Sequence, residues 1–271
     1  MRDFKELFGE LVKAGVHFGH QKSRWCPKMK QYIWGYKNKV HLIDVSKTAF
    51  QLDKSEKFLE SVAAEGGTVL WVGTKKAAAE TVQKVGTRLN QPYVSHRWLG
   101  GTLLNFSQVR KSLTRLLHYE DVLAKSESNP FYTKKELNLY RKTADKLEKT
   151  VGGIRKLTLP VSALVVVDVS KEQSAVKEAN LMGIPVVAIV DTNSDPSMVD
   201  YVIPANDDSV QSIGLILNYL ADAVARGQET AVKNAKNASD GSTNKKGIKE
   251  VIVEEAPSDV EIALQQLAVQ E

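Results

Sequence analysis

Six cations, Lys22, Arg24, Lys28, Lys30, Lys37 and Lys39, fall between His17 and His41 with no Asp or Glu among them. Trp25, Tyr32, Trp34 and Tyr36 are threaded through the same stretch. Lysine and arginine neutralise phosphates, and aromatic faces stack on bases or pack beneath lysine stems, so the pattern points to RNA. A second cluster, residues 95–105, sets Arg97 and Trp98 before Gly100-Gly101. Paired glycines let the backbone approach a surface closely, which leaves Arg97 to meet phosphate and Trp98 to wedge against the core. In a third, Gly73-Thr74-Lys75-Lys76 follows an apolar run. Lys75, Lys76 and the free N–H groups of a helix start are suited to a phosphate. Arg110, Lys111 and Arg115 make a further basic group.

Other residues invite different chemistry. Asp168 and Asp191 close apolar runs, with Asp195, Asp207 and Asp208 nearby. One reading makes them ion ligands or acid/base groups of a metal-dependent enzyme working at the carboxyl edge of a sheet. The favoured reading is structural: Asp195-Pro196 opens a turn and Asp207 caps the last helix. Neither G-x-x-x-x-G-K-[ST] nor G-x-G-x-x-G occurs, so no nucleotide cofactor is expected. His17 and His20 would leave two zinc positions unfilled. There is no G-x-S-x-G elbow. The one cysteine, Cys26, makes neither an intrachain disulfide nor a thiolate metal site, and reads as a small, partly buried apolar group. No catalytic residue, cofactor or bound metal is expected.

The elements that must position these groups follow from periodicity. Residues 3–14 read as an amphipathic helix, and 15–38 as ordered but irregular. Strands are predicted at 40–44, 68–73, 92–95, 162–168, 185–191 and 201–203, and helices at 45–64 (Ser46 as N-cap), 74–89, 170–182 and 207–226, closing at Gly227. Strands apolar throughout are buried on both faces, and their alternation with helices predicts a doubly wound, mainly parallel α/β sheet. Residues 102–151 break the rhythm with two helical patterns around a turn-rich loop at 126–130, an inserted antiparallel helical hairpin that projects as an arm. The organisation is thus an N-terminal helix and basic, aromatic extension (1–38), an α/β domain (39–101 and 157–227), the hairpin (102–156) and a flexible, partly acidic tail (228–271).

Charge distribution sharpens the RNA reading. The net charge of +5 is modest, but residues 105–156 hold 12 basic against 6 acidic residues, and from Glu250 onward there are six acids and no base. Without residues 226–271 the body carries 31 basic against 24 acidic residues, or +7. No apolar run approaches the roughly 20 residues of a membrane span. The first residues lack a signal-peptide core, so the cytosol is expected.

Several segments together carry a resemblance. A-G-V-H-F-G-H-Q (14–21), W-C-P-K-M-K (25–30), N-K-V-H-L-I-D (38–44), V-G-T-K-K (72–76), H-R-W-L-G-G-T-L-L-N (96–105), G-I-P-V-V-A-I-V-D-T-N-S-D-P (183–196) and V-I-P-A-N-D-D-S (202–209) stand in matching order. They resemble the bacterial-type ribosomal protein S-two family of the small subunit, over about residues 3–226. The resemblance implies a flavodoxin-like domain with a protruding helical hairpin. It implies no catalysis, contact with small-subunit rRNA on the solvent side between head and body, and help in docking the large mRNA-binding protein S-one near the mRNA exit. Where the family has Asn, this chain has Cys26.

Overall fold

The structure, a computed structural model, describes residues 4–125 and 132–240. The chain divides into two units, 1–233 and 234–271; of the second, residues 234–240 are described, and they are helical.

The first unit is built on two sheets. The larger contains β4 (Val69–Val72), β5 (Tyr93–Val94), β6 (Ala163–Val167), β7 (Val186–Val190) and β8 (Tyr201–Pro204), all parallel, in the order β5-β4-β6-β7-β8. Counted along the chain this is 2-1-3-4-5, the flavodoxin-type doubly wound order, whose switch point lies between β4 and β6. Side chains alternate across a strand, and the two cores divide accordingly. Trp71, Val165, Val187 and Ile203 enter one apolar cluster with α2 (Val45–Ala64), α3 (Lys76–Leu89) and α7 (Val210–Asp240). Leu70, Val72, Val166 and Ala188 enter the other, with α4 (Phe106–Lys125) and α6 (Gln173–Leu181). Because both faces are covered, the strands are apolar at every position.

The short helix α1 (Phe4–Lys13) buries Leu11 in the first cluster. After it, the stretch expected to be irregular, 15–38, forms β1 (Phe18–Gln21) and β2 (Ile33–Lys37), which pair with the strand expected at 40–44, β3 (Val40–Ile43), in an antiparallel sheet of order β1-β3-β2. Strand β3 therefore pairs outside the parallel sheet. These strands are four or five residues long with register shifts, too short and irregular for a period of two to stand out.

The hairpin consists of α4 and α5 (Lys134–Val151), which pack together with Tyr119 stacked on Tyr140 at 5.4 Å. Its predicted loop at 126–130 lies outside the described residues. Thr133 caps α5 in a capping box with Glu136.

Three local expectations are corrected. Asp44, not Ser46, caps α2, its side chain accepting from Ser46 N at 3.0 Å; the helix begins at Val45, two residues earlier than a Ser46 cap requires. Asp207 does not cap α7: Asn206 Oδ1 accepts from Asp208 N at 2.8 Å and Ser209 N at 3.3 Å, and Asp207 turns inward. Nor does Gly227 end α7, which runs to Asp240, so residues 228–240 of the expected flexible tail are helical; 241–271 lie outside the described residues. Gly227 is a point of close approach, since a Cβ there would lie 2.4 Å from the Glu60 carbonyl oxygen on α2. Gly227→Ala should therefore cost about 1–3 kcal/mol through overpacking. That would appear as a lower urea midpoint at unchanged m, whereas a wild-type midpoint would mean that α2 and α7 are less closely packed.

Candidate nucleic-acid interface

The basic stretch is held by a few buried anchors. Met29, in the 3-10 turn Pro27–Tyr32, is fully buried in the second cluster, with Tyr32 packed beside it. Cys26 packs there too, and its N–H donates to the Thr192 carbonyl at 2.7 Å. Lys28 and Lys30 flank Met29 and are exposed. They share a cavity of about 880 Å³ with Lys47 and Lys54 of α2, whose wall also includes Asp200. Sequence reading missed Lys47 and Lys54, because a lone lysine on an amphipathic helix looks like any solvated position. Lys28 pairs with Asp195 at 2.7 Å, and its hydrogen bond pulls the Asp195 carboxyl down to about 2. An exposed pair of this kind is worth at most about 1 kcal/mol, so a phosphate can compete for the lysine.

Lys22 and Arg24 lie on the 3-10 turn Lys22–Arg24, Lys37 ends β2, and Lys39 sits in the β2–β3 turn. Lys22, Arg24, Lys30, Lys37 and Lys39 are all exposed and have no carboxylate partner among the described residues. The aromatics split in two. Trp25 is half-buried against His41, with ring centroids 5.5 Å apart, and burial of Tyr32 raises its pKa, whereas Trp34 and Tyr36 are 76% and 66% exposed.

Lys76 is exposed at the start of α3, and Arg110, Lys111 and Arg115 on α4 are exposed, away from buried Val109, Leu113 and Leu116. Arg97 is exposed beside buried Trp98. Trp98 Nε1, Gly101 N and Leu103 N all donate to the buried Glu178 carboxyl of α6, at 3.0, 2.8 and 3.0 Å. Glu178 thus fixes the loop that presents Arg97 and leads into α4; no sequence motif marks it.

Lys75 is the exception. Its ammonium lies 2.7 Å from Asp207 Oδ1, 2.5 Å from Asp208 Oδ1 and 3.6 Å from Asp168 Oδ2, with 21% of the side chain exposed and Asp207 fully buried. Burial opposes its charge, but hydrogen bonds to Asp207 and Asp208 outweigh that and hold its pKa above the ordinary lysine value. Burial pushes Asp207 up to about 6, while the Lys75 hydrogen bond lowers Asp208. Thr74 N donates to Glu172 Oε1 at 3.1 Å, and its hydroxyl donates there too. The phosphate site expected at Lys75, Lys76 and the helix-start N–H groups is therefore corrected in part: carboxylates from distant segments already hold the Lys75 ammonium and the Thr74 N–H, and only Lys76 stays exposed.

Asp208 is shared with His20, whose Nε2 lies 3.3 Å from Asp208 Oδ2 and whose Nδ1 lies 2.9 Å from Asp191 Oδ2. The hydrogen bond to Asp191 raises the His20 pKa. Gly19 permits this contact, since a Cβ there would stand 2.7 Å from Thr192 Cγ2. His20, Asp191 and Asp207 offer ligand atoms within 4.8 Å of one another, a spacing a divalent cation can use.

The switch-point crevice, where doubly wound proteins seat their ligands, is thus crossed by the chain's own ion pairs, and most of the exposed cations named above lie on the N-terminal extension and the helical hairpin, with Lys76 and Arg97 on the α/β domain itself. This defines a class of α/β protein whose sheet is a scaffold for basic appendages. The family model described as ribosomal protein S2 matches residues 11–227. The small ribosomal subunit protein uS2 of Bifidobacterium longum (strain DJO10A) is 46% identical over 254 residues, covering 92% of this chain and 90% of the relative. That of Bifidobacterium animalis subsp. lactis (strain AD011) is 49% identical over 235 residues, 87% and 77%, and that of Arthrobacter sp. (strain FB24) 48% over 218 residues, 80% and 74%.

The chain belongs to the ribosomal protein S2 family. It is a structural constituent of the small ribosomal subunit and not an enzyme, so the alternative of catalysis at the carboxyl edge is set aside. Among the described residues no helix is long and apolar enough to cross a membrane.

Proposed function

We propose that this protein binds small-subunit rRNA on the solvent side of the subunit, between head and body, and helps dock the mRNA-binding protein S-one near the mRNA exit, within cytoplasmic ribosomes. The observation that carries the RNA reading is the set of five exposed cations, Lys22, Arg24, Lys30, Lys37 and Lys39, without carboxylate partners among the described residues. Lys28, Lys76 and Arg97 extend the footprint, Arg110, Lys111 and Arg115 form a second tier, and Lys75 leaves it. Contacts go mostly to phosphates and helix shape, because A-form grooves hide base edges from side chains. The S-one reading rests on the family resemblance.

A salt titration of binding to folded small-subunit rRNA tests this. Affinity should fall steeply with salt. Lys30→Ala and Lys37→Ala should each weaken binding and reduce the log–log slope by about 1, while Lys75→Met leaves the slope unchanged. A flat response in the wild-type protein would sink the footprint. Subunits that keep S-one after losing this protein would sink the docking role.

A further inference from the structure

The β2–β3 hairpin presents an exposed aromatic ring beside its cations. Its turn is Asn38-Lys39, between the paired residues Lys37 and Val40, with φ of 51° and 64°. Two positive φ values in a two-residue hairpin correspond to the type I′ turn, which favours Asn-Gly. Here the second place is taken by a lysine, held in a backbone conformation that glycine adopts freely. The side chain is kept against a backbone preference, and it lines a cavity of about 790 Å³ together with Gln21, Lys22, Ser23, Tyr36 and Asn38. That volume falls within the roughly 300–1,000 Å³ of small-ligand sites. The Tyr36 ring is 66% exposed, with Lys22 Nζ 4.7 Å from its centroid.

We propose that this cavity takes one unpaired nucleotide of an RNA strand. The base stacks on Tyr36, Lys22 and Lys39 meet its phosphates, and the Gln21 and Asn38 side chains supply donors and acceptors to the base edge. The lining contains no carboxylate, so a basic peptide would find no partner. A bare anion would leave the ring unused. A duplex cannot enter, since its bases are stacked inward; single strands are bound by aromatic platforms beside cations. The inference rests on the RNA-binding reading and adds a single-stranded contact to it.

The test is fluorescence anisotropy of the full-length protein with a labelled single-stranded RNA about eight nucleotides long, alongside folded rRNA. Tyr36→Ala should weaken strand binding roughly tenfold, and Tyr36→Phe should restore it. Lys39→Gly should weaken strand binding while leaving the thermal midpoint unchanged or higher, because glycine suits the turn. A fully paired RNA duplex should bind Tyr36→Ala as it binds the wild type, since none of its bases can reach the ring. If Tyr36→Ala and Lys39→Gly hold the strand as tightly as wild type, or if excess inorganic phosphate at matched ionic strength displaces it completely, the strand pocket is overturned while the rRNA footprint stands. If wild type binds neither RNA, both readings fall.

Discussion

Glu178→Ala should remove about 3–5 kcal/mol of stability, from three buried or half-buried donors at about 1–3 kcal/mol each with incomplete additivity. The indole of Trp98 and the amides of Gly101 and Leu103 converge on that one carboxyl. Alanine leaves all three without an acceptor in a region that water reaches poorly. Folded domains hold only about 5–15 kcal/mol in total, so the urea midpoint should drop steeply. Glu178→Gln separates the chemistry from the packing. Its amide oxygen can serve Trp98 and Gly101, but its NH2 group then faces the Leu103 N–H, so one bond is lost, for about 1–2 kcal/mol. The effect should extend to function, because the loop carries Arg97 and enters α4, which bears Arg110, Lys111 and Arg115. Glu178→Ala should lower rRNA affinity more than Arg97→Ala alone does. An alanine variant with a wild-type midpoint would show that the three donors find other partners.

Lys75→Met should cost about 3 kcal/mol, the lower end for removing one partner of a buried ion pair, since Lys75 keeps some exposure and Asp207 none. Methionine retains the length of the side chain, so the loss reports the uncompensated carboxylates. Adding Asp207→Asn should recover at least about 1 kcal/mol in a double-mutant cycle. The pH dependence follows from Asp207. Its folded-state pKa, about 6, lies above the ordinary 3.8, so folding takes up a proton between those values. Its charge therefore works against the fold above pH 6, and this effect disappears as pH falls toward 3.8. Lys75 lowers that pKa; without it the carboxyl titrates higher still. The loss in Lys75→Met should accordingly be larger at about pH 8 than at about pH 5. An equal loss at both, with no recovery in the double variant, would mean that Asp207 is not the group left uncompensated.

Both effects belong to contacts between segments far apart in the chain, and that divides what could be read early from what could not. The strands at 69–72, 163–167 and 186–190 are five or fewer residues of unbroken apolar character, and burial on both faces of a parallel sheet writes that pattern directly into the chain. The motifs that carry the family resemblance are likewise contiguous runs. Of the antiparallel sheet at 18–43 only the strand at 40–43 was legible; the two that pair with it are brief and shifted in register. Gly227 read as a stop because glycine favours helix ends; only the path of α2 shows that it marks a contact.

The order of apolar and polar residues determined the α/β class, the inserted helices and the presence of a basic, aromatic segment, because hydrophobic period is a local property of the chain. Tertiary structure alone decided which cations are free. Lys75 and Lys76 are neighbours in sequence, yet one is held by Asp207 and Asp208, more than a hundred residues away, and the other faces solvent. A lysine's charge is fixed by its type, whereas its availability depends on what the crossovers bring beside it, at distances where Coulomb energy and lost hydration decide between a carboxylate and a phosphate.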